Sequence, residues 1–169
     1  MKKITLLIAF IGMISLQSCT VNEDPAPIVD NDTIAEVWEY NQNINFNASN
    51  GYNLLLPFPH AIYSSDMILV YRLSGVSNGE DVWKIQPETY YFNDGTLDFG
   101  YDFDFTKYDV SIFMHGFDLA NVSTQFRTNQ VFRVVVVPGY FGKTAGSKID
   151  FSDYNAVIKA FKIDESKIK

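Results

Sequence analysis

Aromatic residues that alternate with Asp, Asn, Thr and Ser, glycine-bearing turns between them, and one apolar stripe of helical spacing near the end predict an all-β domain. The expected architecture is a two-layer sandwich of immunoglobulin-like or jelly-roll type with a short C-terminal helix, built from roughly seven to nine strands. Periodicity alone does not choose between those topologies, and an incomplete barrel is the next choice. The clearest strand signal places Leu97, Phe99, Tyr101, Phe103 and Phe105 on one face and Asp98, Gly100, Asp102 and Asp104 on the other. Asn93-Asp94-Gly95 joins this arm to Thr89–Phe92, because an Asp-Gly pair accepts the positive torsions of a tight hairpin.

The other elements follow from similar reasoning. Ile34–Tyr40 is expected as a first strand with Val37 and Trp38 on opposite sides, and Ala48-Ser49-Asn50-Gly51 as the turn before Tyr52–Leu56. Pro57 and Pro59 close that segment, since proline cannot donate to a ladder. Met67–Leu73 is a short apolar strand. After the Ser77-Asn78-Gly79-Glu80 turn, Asp81, Trp83 and Ile85 share one side of the next strand, which sets the indole inward or at a rim. Val110–Met114 is a further strand, and Val131–Val137 is apolar on both sides apart from Arg133, the pattern of a central strand. Ser152 is expected to cap a helix with Phe151 as its staple, and Tyr154, Val157, Ile158 and Phe161 form the stripe. A two-turn helix is marginal alone and must pack on the sheet, while 164–169 should fray.

The N-terminus carries a separate signal. Lys2 and Lys3 precede an apolar run from Ile4 to Ile14, then Leu16-Gln17-Ser18-Cys19, and Cys19 is the only cysteine. A basic start, a short apolar core and a small residue before a cut describe an export signal, and the run is about half of the ~20 residues that cross a bilayer. Leu16-Gln17-Ser18-Cys19 resembles the bacterial lipobox. That resemblance implies a mature chain beginning at Cys19 with diacylglycerol on its sulfur and an acylated amine, enough acyl chain for stable anchoring in outer-membrane lipid. One cysteine permits no intramolecular disulfide. The chain then divides into a signal peptide over 1–18, a lipidated tether over 19–32 rich in acidic residues and proline, and one domain over 33–169. Glu23-Asp24 resembles the signal that sends lipoproteins of Bacteroidota to the outer face of the outer membrane, and Asp32-Thr33-Ile34 resembles the O-glycosylation motif of that phylum, with Thr33 as acceptor. Asn47-Ala48-Ser49 and Asn121-Val122-Ser123 match the Asn sequon, which a bacterial product is expected to leave unused.

Charge narrows the partners. Without Lys2 and Lys3 the mature chain has 11 basic and 20 acidic side chains, a net charge of −9. That field repels nucleic acid and anionic headgroups, and no basic groove tracks phosphates. The strand face of Asp98, Asp102 and Asp104 needs a loop carboxylate such as Asp94 or Asp109 to enclose calcium, and a solvated acidic face accounts for it otherwise. Gly142-Lys143-Thr144 has Val137 where a phosphate loop needs glycine, so it reads as a surface loop. His60 and His115, the two histidines, read as surface or turn residues without a soft-ligand cluster for zinc. Ser64, Ser65 and Ser111 lack a nucleophile elbow. No catalytic residue and no cofactor is expected. Trp or Tyr beside Asp and Asn suits sugar rings. Trp38, Trp83 and Tyr140 stand as candidate glycan contacts among the available Trp38, Tyr40, Trp83, Tyr90, Tyr91, Tyr140 and Asn53, with spacing alone unable to select among them.

With its Asp-Phe alternation and a Val-rich strand ahead of a short terminal helix, the mature chain resembles the small β-sandwich surface lipoproteins of Bacteroidota. The resemblance implies a lipid-anchored, surface-exposed domain and transfers neither substrate nor catalytic residues. The expectation is therefore a non-catalytic structural or protein-interaction lipoprotein of the envelope, with a carbohydrate-binding surface lipoprotein as the alternative.

Overall fold

The computed structural model describes residues 33–144 and 149–168. The segments expected as signal peptide and tether, with Cys19, lie outside them. Two four-stranded antiparallel sheets face each other. Sheet A runs β1 (Glu36–Tyr40), β8 (Phe132–Val137), β3 (Met67–Ser77), β4 (Glu80–Ile85), and sheet B runs β2 (Asn53–Pro57), β7 (Asp109–Gly116), β6 (Leu97–Phe105), β5 (Glu88–Tyr91). Short helices α1 (Thr124–Arg127), α2 (Gly139–Thr144) and α3 (Tyr154–Phe161) complete the fold. An all-β sandwich with a short C-terminal helix is thus the observed class.

Strand periodicity builds two apolar layers. Phe132, Val134 and Val136 of β8, with Trp38, Ile68 and Val70, meet Phe99, Tyr101, Val110, Ile112 and Met114 of sheet B between the sheets. Val135 and Val137 point the other way, where Val37, Leu69 and Tyr71 join Tyr154, Val157 and Phe161 of α3. β8, paired with β1 and β3, is therefore central and buried on both faces, as its unbroken valine run requires. Tyr71 Oη donates to the carbonyl of Phe151 at 2.6 Å, and its ring meets Tyr154 edge-on, which ties the helix layer to the sheet.

Several local expectations change. β3 extends to Ser77 because Asn78 and Gly79 both adopt positive φ, the two-residue turn that keeps strands in register, and an irregularity between Leu73 and Gly75 absorbs the extra residue. The helix cap is Asp153, whose side chain accepts from the amide of Ala156, while Ser152 instead donates to Asp150. Residues 165–167 form a 3-10 turn rather than fraying, because Glu165 binds Arg133. Gly142-Lys143-Thr144 lies at the end of α2 and not in a loop. Phe141 of that helix packs at 5.3 Å against Phe161, which anchors the segment. His115 belongs to β7, not to a following loop.

The registers also orient the molecule. β1 starts beside Val136 and β3 starts beside Val137, so Thr33 leaves the body at what we call the lower end of sheet A. β2 descends and β7 rises, so Gly116 and its partner Phe99 lie at the upper end of sheet B, together with the β5–β6 turn.

Two substitutions test these layers. Phe132→Ala, which empties a fully buried position, should lower unfolding free energy by about 3–5 kcal/mol in urea titration. Asp153→Ala should cost about 1 kcal/mol through the lost cap, and Ser152→Ala distinctly less. Equal losses would contradict the cap assignment.

Candidate functional site

The strongest electrostatics belong to two arginines on opposite faces of sheet A. Arg72 on β3 points into the sandwich and is 3% exposed. Its Nε and Nη2 donate to the two oxygens of Glu88 at 2.9 and 3.1 Å, Nη2 also donates to Tyr90 Oη at 2.8 Å, and Nη1 donates to Gln130 Oε1 at 3.2 Å. The guanidinium lies 5.0 Å from the Tyr101 ring centre. Glu88 further accepts from Tyr90 Oη at 2.5 Å and Lys84 Nζ at 3.0 Å. Burial by itself would raise this carboxyl, but the bonds from Arg72 and Tyr90 outweigh it and hold it at about 2. The cluster joins β3 of one sheet to β5 of the other with its polar groups engaged, which suits a structural lock better than a reactive site.

On the helix side, Arg133 of β8 is held by Glu39 at 2.9 Å, Glu165 at 3.0 Å and Tyr154 Oη at 2.7 Å, and sits 4.2 Å from the Trp83 ring centre. Its Nε and Nη1 donors and its ring-facing plane thus serve the junction of β1, β4, α3 and the C-terminal turn. A shallow polar groove lined by Asp81, Trp83, Arg133, Tyr154 and Glu165 crosses this junction.

The candidate glycan aromatics do not converge. Trp38 is 2% exposed in the inter-sheet core, against Phe58 and edge-on to His60, so its ring offers no outward face. Trp83 is half-buried beneath Arg133 and Tyr154. Tyr140, on α2, is 53% exposed. Trp38 faces the opposite side of sheet A from the helix layer, so the three cannot share one surface. Thr33 is exposed, and Cys19 lies outside the described residues.

The outward face of sheet B is acidic, as its alternation requires. Asp102 and Asp104 pair with Phe113 and Ser111 at successive outward positions. The two carboxylates expected in loops stand at opposite ends of β6, Asp109 as the first residue of β7 rather than in a loop, and both are locally engaged: Asp94 accepts from Thr96, which holds its carboxyl below the ordinary value, and Asp109 accepts from Thr106. Among the described residues no group of three or more His, Cys, Asp or Glu side chains is placed to hold a metal ion. His115 lies across Gly100 on the same face, where a Cβ would come within 2.7 Å of Nε2; the missing side chain makes room for the imidazole.

A different aromatic group gathers at the upper end of this sheet. β5 pairs Tyr90 with Phe99 but Tyr91 with Leu97, which leaves Asp98 as the extra residue of a bulge. The bulge resets the alternation, so Leu97 turns out beside Tyr91 instead of following Phe99 into the core. Just past the end of β7, the amide of Phe117 donates to the carbonyl of Asp98 at 2.9 Å. Gly116 permits that approach, since a Cβ there would run into the Asp98 carbonyl oxygen and lie 2.7 Å from Phe99 Cα. Tyr91, Phe92, Leu97 and Phe117 are all exposed, Tyr91 by 64% and Phe117 by 84%. Sequence reasoning missed this group because strict alternation put Leu97 inside and gave no reason to bring Phe117, just past the end of β7, beside it. The broken period at Asp98-Phe99 followed by Gly116-Phe117 carried no visible signal without the pairing.

Comparison with protein-family models, curated proteins and solved structures yields no match.

The Arg72–Glu88 lock sets an acid limit. The carboxyl of Glu88 is lower in the folded chain than in the unfolded one, so the unfolded state binds more protons between its ordinary value of 4.5 and about 2. The stabilisation, on the order of 3 kcal/mol, is fully present above pH 4.5 and disappears as pH falls through that window. Urea titrations at stepped pH should show this decline in the wild type. Glu88→Gln should be destabilised at neutral pH and lose much of the slope, whereas an unchanged slope would remove Glu88 as its source.

Proposed function

We propose that this chain is an envelope-anchored, non-catalytic lipoprotein that serves as a structural or protein-interaction domain. The observation that carries the reading is the N-terminal pattern, a basic start, an apolar run too short to span a bilayer, and Cys19 directly after Leu16-Gln17-Ser18. Acyl chains on Cys19 bind outer-membrane lipid, and Glu23-Asp24 directs the anchor to the cell surface. The tether of 14 residues from 19 to 32 then leads into an exposed Thr33 at one end of the sandwich, a geometry that suits a body held by one end with its other end free. Thr33 is accessible for O-glycosylation beside the tether. The interior polar clusters support a role without catalysis, because Arg72, Glu88 and Arg133 are each engaged by several folding partners. The strand order favours the jelly-roll form of the sandwich, since β1 pairs with β8 in one layer and β2 with β7 in the other.

Labelled palmitate should enter the purified wild-type polypeptide, and Cys19→Ala should abolish the label. Intact-mass measurement should give a chain starting at Cys19 with the added acyl mass. An unlabelled product that retains Met1 would refute the anchor.

A further inference from the structure

We propose that the upper rim of sheet B is a binding platform for neutral, hydroxyl-rich glycan chains, with Tyr91 and Phe117 as stacking rings and Asp98 and His115 as polar contacts. The orientation of this rim toward the surroundings rests on the anchored reading above, whereas its binding chemistry does not.

Three adjacent strands carry the platform. Tyr91 pairs with Leu97, and the amide of Phe117 binds the carbonyl beside it, so the rings are spread across two strand steps of about 5 Å each. That width accepts more than one sugar ring laid across the strands. Exposed aromatic faces match the apolar faces of pyranoses, and the hydroxyls around such rings need acceptors and donors nearby. Among the described residues, neither the Asp98 carboxylate nor the His115 imidazole has a hydrogen-bond partner of its own. Asp98 lies on β6, between the strand that carries Tyr91 and the end of β7 that leads into Phe117, and His115 lies on β7 with its ring seated over Gly100.

Charge selects the kind of glycan. Residues 88–98 and 115–118 contain Glu88, Asp94, Asp98 and Asp118 with no Lys or Arg, and Glu88 points inward to Arg72. Carboxylates accept from neutral hydroxyls and repel uronic acids or phosphate. The rim also lies at the opposite end of the sandwich from Thr33, separated by the length of β6, roughly 30 Å for its nine residues. A tether at the lower end therefore leaves this surface directed outward.

Native electrophoresis of the full mature chain in a neutral detergent tests the assignment, with one polymer per gel: a β-glucan, an α-glucan, a xylan, an α-mannan, or polygalacturonate. At least one neutral polymer should retard the chain and polygalacturonate should not. Tyr91→Ala/Phe117→Ala should weaken that retardation about tenfold or more. The exposed positions of both rings should leave the melting temperature unchanged. Tyr91→Phe should retain binding, and Tyr140→Ala, at the far helix layer, should bind as wild type. A chain that no neutral polymer retards overturns the platform, as does equal retardation of the double variant or retardation by polygalacturonate. Self-association that disappears in the double variant while every gel is blank would assign the rim to a protein contact instead. The gels read the same whether or not palmitate is incorporated, so loss of the platform and loss of the anchor are separate results.

Discussion

Burial of β8 on both faces is the constraint from which the rest of the molecule follows. A strand of consecutive valines cannot leave either side in water without exposing apolar surface along its whole length. Phe132, Val134 and Val136 therefore require sheet B on one side, and Val135 and Val137 require a second cover on the other. The covering element is the amphipathic helix that follows in the chain, too short to be stable alone. Its packing against Tyr71 and Trp83 gives sheet A a third, partial layer, while sheet B keeps an open face.

That asymmetry explains the distribution of charge. Sheet A is covered outside, so its polar groups must find partners within the fold, and Arg133 does so through Glu39, Glu165 and Tyr154. Arg72 meets the same demand between the sheets through Glu88, Tyr90 and Gln130. Each guanidinium supplies donors in several directions and binds elements distant in sequence, so each fixes a relationship that apolar contacts leave free to slide. Sheet B faces outward with Asp102, Asp104 and His115. Its solvent-facing chemistry remains available where the interior clusters are closed.

The strands were largely legible because their side chains obey simple periods. The β5–β6 turn, the two-sided character of β8 and the helix stripe all followed from residue order. Errors arose where a local rule met a tertiary one. Ser152 and Asp153 are both capable caps, and the helix register chose Asp153. Residue order alone leaves the C-terminal residues free to fray, but Glu165 binds Arg133, a residue 32 positions away. Trp38 and Trp83 looked equally able to contact a sugar, yet one fills the core and the other lies beneath an arginine.

Residue order by itself determined the class of fold, the acidic face and the position of the terminal helix, because each depends on neighbours along the chain. Tertiary structure decided which aromatic rings reach solvent. A bulge at Asp98 and the close approach allowed by Gly116 bring Tyr91 of β5, Leu97 of β6 and Phe117, just after β7, to one rim. The reason is that side-chain alternation is a local property, whereas the extra residue that resets it is defined only by the pairing of one strand with another.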